Sequence, residues 1–237
     1  MNIYPPCFED VTAAVSELRD KLQDLLRDRG TQSSLRVTEV EVLLSEPQRN
    51  TKAGFLKYSQ EITLDPNTAN RKLLLSEGNR KVTLKKQQQL YPDHPDRFTD
   101  CKQVLSRESL IGRCYWEVEW RGEGVGVAVS YKNISRAGRS EECLFGLNDK
   151  SWSLYCSTNS YTFYHRKVET LVPVSSRIGV YLDHRAGILS FYRVSETMTL
   201  LHRVQTTFTQ PLYAGIRLYY VDGSSAEIVN LKMSELI

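Results

Sequence analysis

Two glutamates two residues apart, in the run Trp116-Glu117-Val118-Glu119-Trp120, are the first place in this chain to look for catalysis. On an extended strand such a pair shares one face. Paired carboxylates hydrolyse glycosidic bonds when they stand about 5–5.5 Å apart and one of them is kept protonated. Sheet hydrolases of that kind use a Glu-x-Asp-x-Glu run. Here Val118 occupies the middle position and points to the opposite face, so the central carboxylate is missing and nothing splits the two proton affinities. Glu117 and Glu119 are therefore expected to form a solvated or ion-paired strand face. There is no G-x-S-x-G nucleophile elbow. The histidines (His94, His165, His184, His202) and cysteines (Cys7, Cys101, Cys114, Cys143, Cys156) fall into no local spacing of a catalytic or zinc site. Gly122-x-Gly124-x-Gly126 has the wrong spacing for a dinucleotide loop and opens a strand, which makes these turn glycines. The expectation is a chain with no catalytic residues, no metal and no cofactor.

Residues suited to recognition are more numerous. Arg71, Lys72, Arg80, Lys81, Lys85 and Lys86 could contact RNA or phosphate. They could equally be a solvated edge, where lysines block aggregation. Aromatic residues interleave weakly with them, and single-strand binding needs such a stacking platform. Aromatics concentrate elsewhere. Tyr155, Tyr161, Phe163, Tyr164 and His165 flank the polar run Ser157-Thr158-Asn159-Ser160. Strand alternation can bury about half of them, and exposed aromatics mark binding hot spots. Tyr155, Ser157, Asn159, Tyr161, Tyr164 and His165 are accordingly candidate partner contacts, with plain strand packing as the alternative for each tyrosine. Leu218-Tyr219-Tyr220-Val221-Asp222-Gly223 is a second such loop, contributing Tyr219, Tyr220 and Asp222. Two further loops, 91–97 and 132–142, add Tyr91, Asp93, His94 and Arg97, and Arg136 and Arg139.

The elements that must hold these loops read as strands. From Cys114 to Trp120 the pattern alternates strictly, with Cys114, Trp116, Val118 and Trp120 on one face and Tyr115, Glu117 and Glu119 on the other. A period of two marks a half-buried strand, and two tryptophan rings, each hiding roughly 150–250 Å², need a deep core. The glycine-spaced turn predicts a return strand, Val125-Gly126-Val127-Ala128-Val129, and this hairpin is read as the centre of a sheet. Short strands are also expected at 73–76, 81–84, 104–105, 144–147, 151–155, 160–165, 177–182, 187–192, 200–204, 212–216 and 226–231. Strands of this length, with turns every 8–12 residues, predict an all-β fold, a two-sheet antiparallel sandwich. Before it, Phe8, Val11, Val15, Leu18, Leu22 and Leu25 step by three and four, an amphipathic helix over 1–30 that is either the tail of a coiled coil or a docked helix. Residues 31–54 read as a linker, and Phe55, Leu56 and Tyr58 as packing on the strands of the sandwich.

The totals narrow the class. A hydrophobic content of 41% with 25% charged residues is an ordinary globular balance. A net charge of +3 permits but does not demand anionic partners. No apolar run is long enough to span a bilayer, and Met1-Asn2-Ile3-Tyr4-Pro5-Pro6 does not begin a signal peptide. Five cysteines, none in C-x-x-C, suit a reducing compartment, so the expected location is cytoplasmic.

Several motifs resemble a known family. Leu64-Asp65-Pro66 followed by Leu73-Leu74-Leu75-Ser76-Glu77-Gly78 resembles a PRY segment. Gly112-Arg113-x-Tyr115-Trp116-Glu117-Val118-Glu119 resembles the first signature of a SPRY domain. Ile178-Gly179-Val180-Tyr181-Leu182-Asp183 through Gly187-Ile188-Leu189-Ser190-Phe191-Tyr192 resembles its second, with His184-Arg185 in place of the usual Tyr-Glu, and Pro211-Leu212-Tyr213 its third. The resemblance covers 55–237, with PRY at about 55–105 and SPRY at about 106–237. With the preceding helix it is most similar to the tripartite-motif (TRIM) ubiquitin ligases, especially the fish finTRIM branch. Fish NLR-type receptors carry similar C-terminal modules. The resemblance implies a bent β-sandwich that binds a protein target through its loops for an E3 ligase in innate antiviral immunity. It also implies a parent that would form a homodimer through its coiled coil. By position, the regions 155–157 and 219–222 resemble segments that contact partners in other TRIM modules, although the tryptophans some relatives carry there are absent. No Cys/His spacing of a RING or B-box occurs in this chain.

Overall fold

In a computed structural model, the structure describes residues 51–165, 171–172, 176–195, 198–219 and 222–231. The expected helix over 1–30 and most of the linker lie outside the described residues, as does Tyr220. The strands, in chain order, are β1 (Leu73–Ser76), β2 (Lys81–Leu84), β3 (Gln103–Leu105), β4 (Arg113–Arg121), β5 (Gly124–Tyr131), β6 (Ser151–Ser157) and β7 (Tyr161–Tyr164). They continue as β8 (Leu171–Val172), β9 (Arg177–Asp183), β10 (Ile188–Arg193), β11 (Thr199–Gln205), β12 (Leu212–Leu218) and β13 (Ser225–Ile228). A short α-helix, α1 (Lys52–Leu56), precedes them, its N-terminus capped by the Thr51 side chain. The strands form a seven-stranded sheet ordered β1-β2-β13-β4-β9-β10-β11 and a six-stranded sheet ordered β3-β12-β5-β6-β7-β8, antiparallel throughout. The all-β sandwich expected from the sequence is thus the observed architecture.

The expected face assignment of β4 holds. Cys114, Trp116, Val118 and Trp120 are buried between the sheets against Val125, Val127 and Val129 of β5. The hairpin does not. β4 lies at the middle of the first sheet, hydrogen-bonded on its two edges to β13 and β9, whereas β5 belongs to the second sheet, between β12 and β6. The two strands face each other across the core because each has an apolar face, and stacking buries both faces at once. Two other readings change. Residues 144–147 form a turn instead of a strand: Gly146 adopts φ +83°, and its Cα abuts Tyr164 so closely that a Cβ would lie 2.6 Å from that side chain. The two-residue strand β8 is an addition to the strands expected from the sequence.

The middle of the outward face of β4, Tyr115 and Glu117, is also buried, with the lead-in segment packed on Tyr115. Phe55 of α1 stacks on Tyr115 with ring centroids 5.2 Å apart and packs on Tyr181 and Tyr192. The Tyr115 amide donates to the Tyr58 carbonyl at 2.8 Å. Phe55 and Tyr58 therefore pack as expected.

Candidate functional site

The second sheet has a half-open outer face. Along β5 the valines point into the core, and Gly124, Gly126, Ala128 and Ser130 point outward. Small residues are required there because large rings from neighbouring strands lie across them. Phe98, Leu105, Ile134 and Phe145 cover Ala128 and close one half of the face. On the other half, Tyr155 of β6 lies over Gly124, where an added Cβ would come within 2.9 Å of its hydroxyl. Tyr219, just past β12, meets Tyr155 edge-on with centroids 4.7 Å apart, and Tyr164 of β7 lies 6.5 Å from Tyr155. With Arg217 and with Leu144, Phe145 and Leu147 from the turn, these tyrosines line a cleft of about 230 Å³.

Three expected contacts, Tyr155, Tyr164 and Tyr219, are therefore brought together. Tyr161 is not among them: its side chain is fully buried in the core. Adjacent positions on a strand face opposite ways, so Tyr161 and Phe163 go in while Tyr164 stays out. Ser157 shapes the β6–β7 turn, its hydroxyl accepting from the Asn159 and Ser160 amides at 3.2 and 3.0 Å. His165 stacks on Trp152 at 4.9 Å, beside the 206–210 segment and away from the tyrosine cleft.

The 91–97 loop is a second cluster. Arg97 is buried and donates to the carbonyls of Pro66, Ala69 and Pro92 at 2.6–2.7 Å, so it ties the loop down and is not a partner contact. Burial first, and then the charge on Arg71, lowers its pKa from the ordinary guanidinium value. Tyr91 carries Arg97 over its ring, and its hydroxyl donates to the Leu73 carbonyl at 2.9 Å. Asp93 pairs with Arg71 at 2.6 Å, and His94 Nδ1 accepts from the Asp96 amide. In the 132–142 loop, Arg136 stacks over Phe98 and Arg139 pairs with Asp100 at 3.5 Å. Asp222 accepts from the Lys86 amide.

The basic residues do not form one stripe. Arg71, Lys72, Lys85 and Lys86 sit at one end of the β1–β2 hairpin, and Arg80 and Lys81 at the other, roughly 10 Å away along the strands. Lys81 is neutralised by Glu227 at 3.7 Å.

The glutamate pair is not a reaction centre. Glu117 is fully buried, accepting from the Tyr115 hydroxyl at 2.7 Å and from Arg177 Nε, while Glu119 accepts from the same guanidinium at 2.9 Å. Of the two alternatives read for this face, ion-paired or solvated, Glu117 takes the first. Burial, and then the adjacent Glu117 carboxylate, pushes the Tyr115 hydroxyl well above the ordinary phenol range, so it stays a donor. Among the described residues no group of His, Cys, Asp and Glu is arranged to hold a metal ion, and no helix is long and apolar enough to cross a membrane.

Arg217, Leu144 and Leu147 escaped the sequence reading. A signal existed for Arg217: Leu212, Ala214, Ile216 and Leu218 alternate with Tyr213, Gly215, Arg217 and Tyr219, which puts Arg217 and Tyr219 on one face.

A two-sheet sandwich with an ion-paired carboxylate pair and an open tyrosine-lined cleft fits a binding module. The SPRY-associated domain, PRY, matches residues 62–110, and the SPRY domain matches 113–230; the chain belongs to the PRY–SPRY family. It is 38% identical over 208 residues to tripartite motif-containing protein 16 of Mus musculus, covering 84% of this chain and 37% of that protein. It is 43% identical over 162 residues to stonustoxin subunit beta of Synanceia horrida, covering 66% of this chain and 23% of that one. The chain thus spans well under half the length of these curated relatives. The crystal structure of the TRIM65 PSpry domain superposes with a TM-score of 0.67 at 25% identity, over 85% of this chain and 98% of that chain.

Proposed function

We propose that this chain is the protein-recognition module of a tripartite-motif-type E3 ubiquitin ligase, acting in the cytoplasm to select the ligase's target in innate antiviral defence. The observation that carries the reading is the cleft lined by Tyr155, Tyr164 and Tyr219 on an otherwise covered sheet face. The tyrosines are held by one another and by the strand beneath, so little side-chain freedom is lost on binding. Similarity to tripartite-motif proteins supports a parent of that type ahead of an NLR-type receptor. In such a parent residues 1–30 would continue a dimerising coiled coil. The split and partly neutralised basic residues give no comparable support to RNA binding.

The test is quantitative affinity capture with the full chain against a Tyr155→Ala/Tyr219→Ala variant of matched melting temperature. The expected result is specific partners lost at least about ten-fold, in line with aromatic hot spots. Undiminished capture by the variant would remove the cleft from the function.

A further inference from the structure

The chemistry of the segment that fits the cleft can be read from Arg217. This residue projects from β12 onto the open half of the face, half-buried, with its guanidinium 4.5 Å from the centre of the Tyr219 ring. Three other arginines of the sandwich have partners within the chain. Arg177 is held by Glu117 and Glu119, Arg113 by Asp183, and Arg97 by backbone carbonyls. Among the described residues the Arg217 guanidinium makes no ion pair and no hydrogen bond, and no acidic side chain lines the cleft. Lying over the Tyr219 ring, the guanidinium has N–H groups that no described residue occupies, and a guanidinium fork can hold a carboxylate through two parallel bonds. Beside it, Tyr155, Tyr164, Leu144 and Leu147 supply apolar walls. At about 230 Å³ the cleft is below the roughly 300–1,000 Å³ of small-molecule sites, a size suited to one or two side chains of a peptide.

Resting on the cleft as the partner site, we infer that it takes a short acidic–apolar peptide segment of the partner: a glutamate or aspartate carboxylate on Arg217 and an adjoining aliphatic side chain against Tyr155 and Leu147. A lone cation favours a carboxylate over a phosphate dianion, which arginine clusters recognise.

The probes are fluorescein-labelled peptides of alternating glutamate and leucine, the same peptide with glutamine for glutamate, and one with phosphoserine for glutamate. Each is titrated by anisotropy against the full chain, Arg217→Gln, Arg217→Lys and Tyr155→Ala, with melting curves as the folding control. The glutamate peptide should bind about ten-fold or more tighter than the glutamine peptide, the scale of charge-assisted hydrogen bonds. Arg217→Gln should erase that preference and Arg217→Lys should keep part of it. Equal binding of the two peptides, with both lost in Tyr155→Ala, would keep the cleft and overturn the acidic assignment. So would tighter binding of the phosphoserine peptide, or a preference unchanged in Arg217→Gln. If the glutamate peptide fails to bind at all the inference also falls; if partner capture is in addition indifferent to Tyr155→Ala, the cleft falls with it.

Discussion

Two arginines, one on the outer face of each sheet, sit in opposite surroundings. On the first sheet, Arg177 bridges Glu117 and Glu119, Tyr115 donates to the same buried carboxylate, and Phe55 closes over the group. On the second, Arg217 lies over an aromatic ring, is bonded to no carboxylate among the described residues, and borders an open cleft. Both faces combine tyrosines with a guanidinium, so residue type alone does not distinguish a structural network from a binding surface. The distinction lies in whether the charge is already satisfied and whether another segment covers it.

The largest effect that could break this comparison is on the covered face. Phe55→Ala should cost about 4 kcal/mol, as for other buried aromatics, seen as a lower urea midpoint. A loss under about 1 kcal/mol would mean that the lead-in does not shield the sheet. Glu117→Ala should cost about 3 kcal/mol, the low end for breaking a buried pair, because Arg177 keeps Glu119 and remains 25% exposed. A third measurement probes the core beneath. Burial pushes the Cys114 thiol up to about 11 from the ordinary 9.0. The folded state then holds this proton more tightly than the unfolded chain does. Its contribution, about 2–3 kcal/mol at most, is whole below about pH 9 and is lost as pH rises through 11. Urea unfolding from pH 8 to 11 should therefore fall more steeply for the native chain than for Cys114→Ala; parallel curves would count against a dry core. The smallest effect belongs to the open face: Arg217→Ala should leave stability within about 0.5 kcal/mol, and a loss matching that of Glu117→Ala would erase the contrast.

Strand periodicity revealed much of this architecture, because alternation reports which side chains share a face. It placed Trp116 and Trp120 in the core, and the PRY and SPRY motifs placed the chain in its family. Alternation does not report which strand lies alongside, so β4 and β5 read as a pair although they belong to opposite sheets. Nor does it say which of two alternating sets goes inward, so Tyr161 and Tyr164, which belong to opposite sets, both stand as candidates until the fold buries one of them. Arg217 was passed over because an isolated arginine carries no signal until the absence of a nearby carboxylate is known, and that absence is a property of the folded surface.

The strand order of the sheets bears on how the chain acquires its structure. β2 and β4 are complete by Arg121, yet β13, about a hundred residues further along, is the strand that joins them. β3 likewise finds its partner in β12, more than a hundred residues downstream. The PRY and SPRY segments are therefore interleaved and cannot fold one after the other. During synthesis the hairpin β1–β2 must wait, one edge unpaired, until Ser225–Ile228 leaves the ribosome. Such long-range pairing makes for slow folding and a nascent chain that is open to aggregation and to chaperones until β13 is in place.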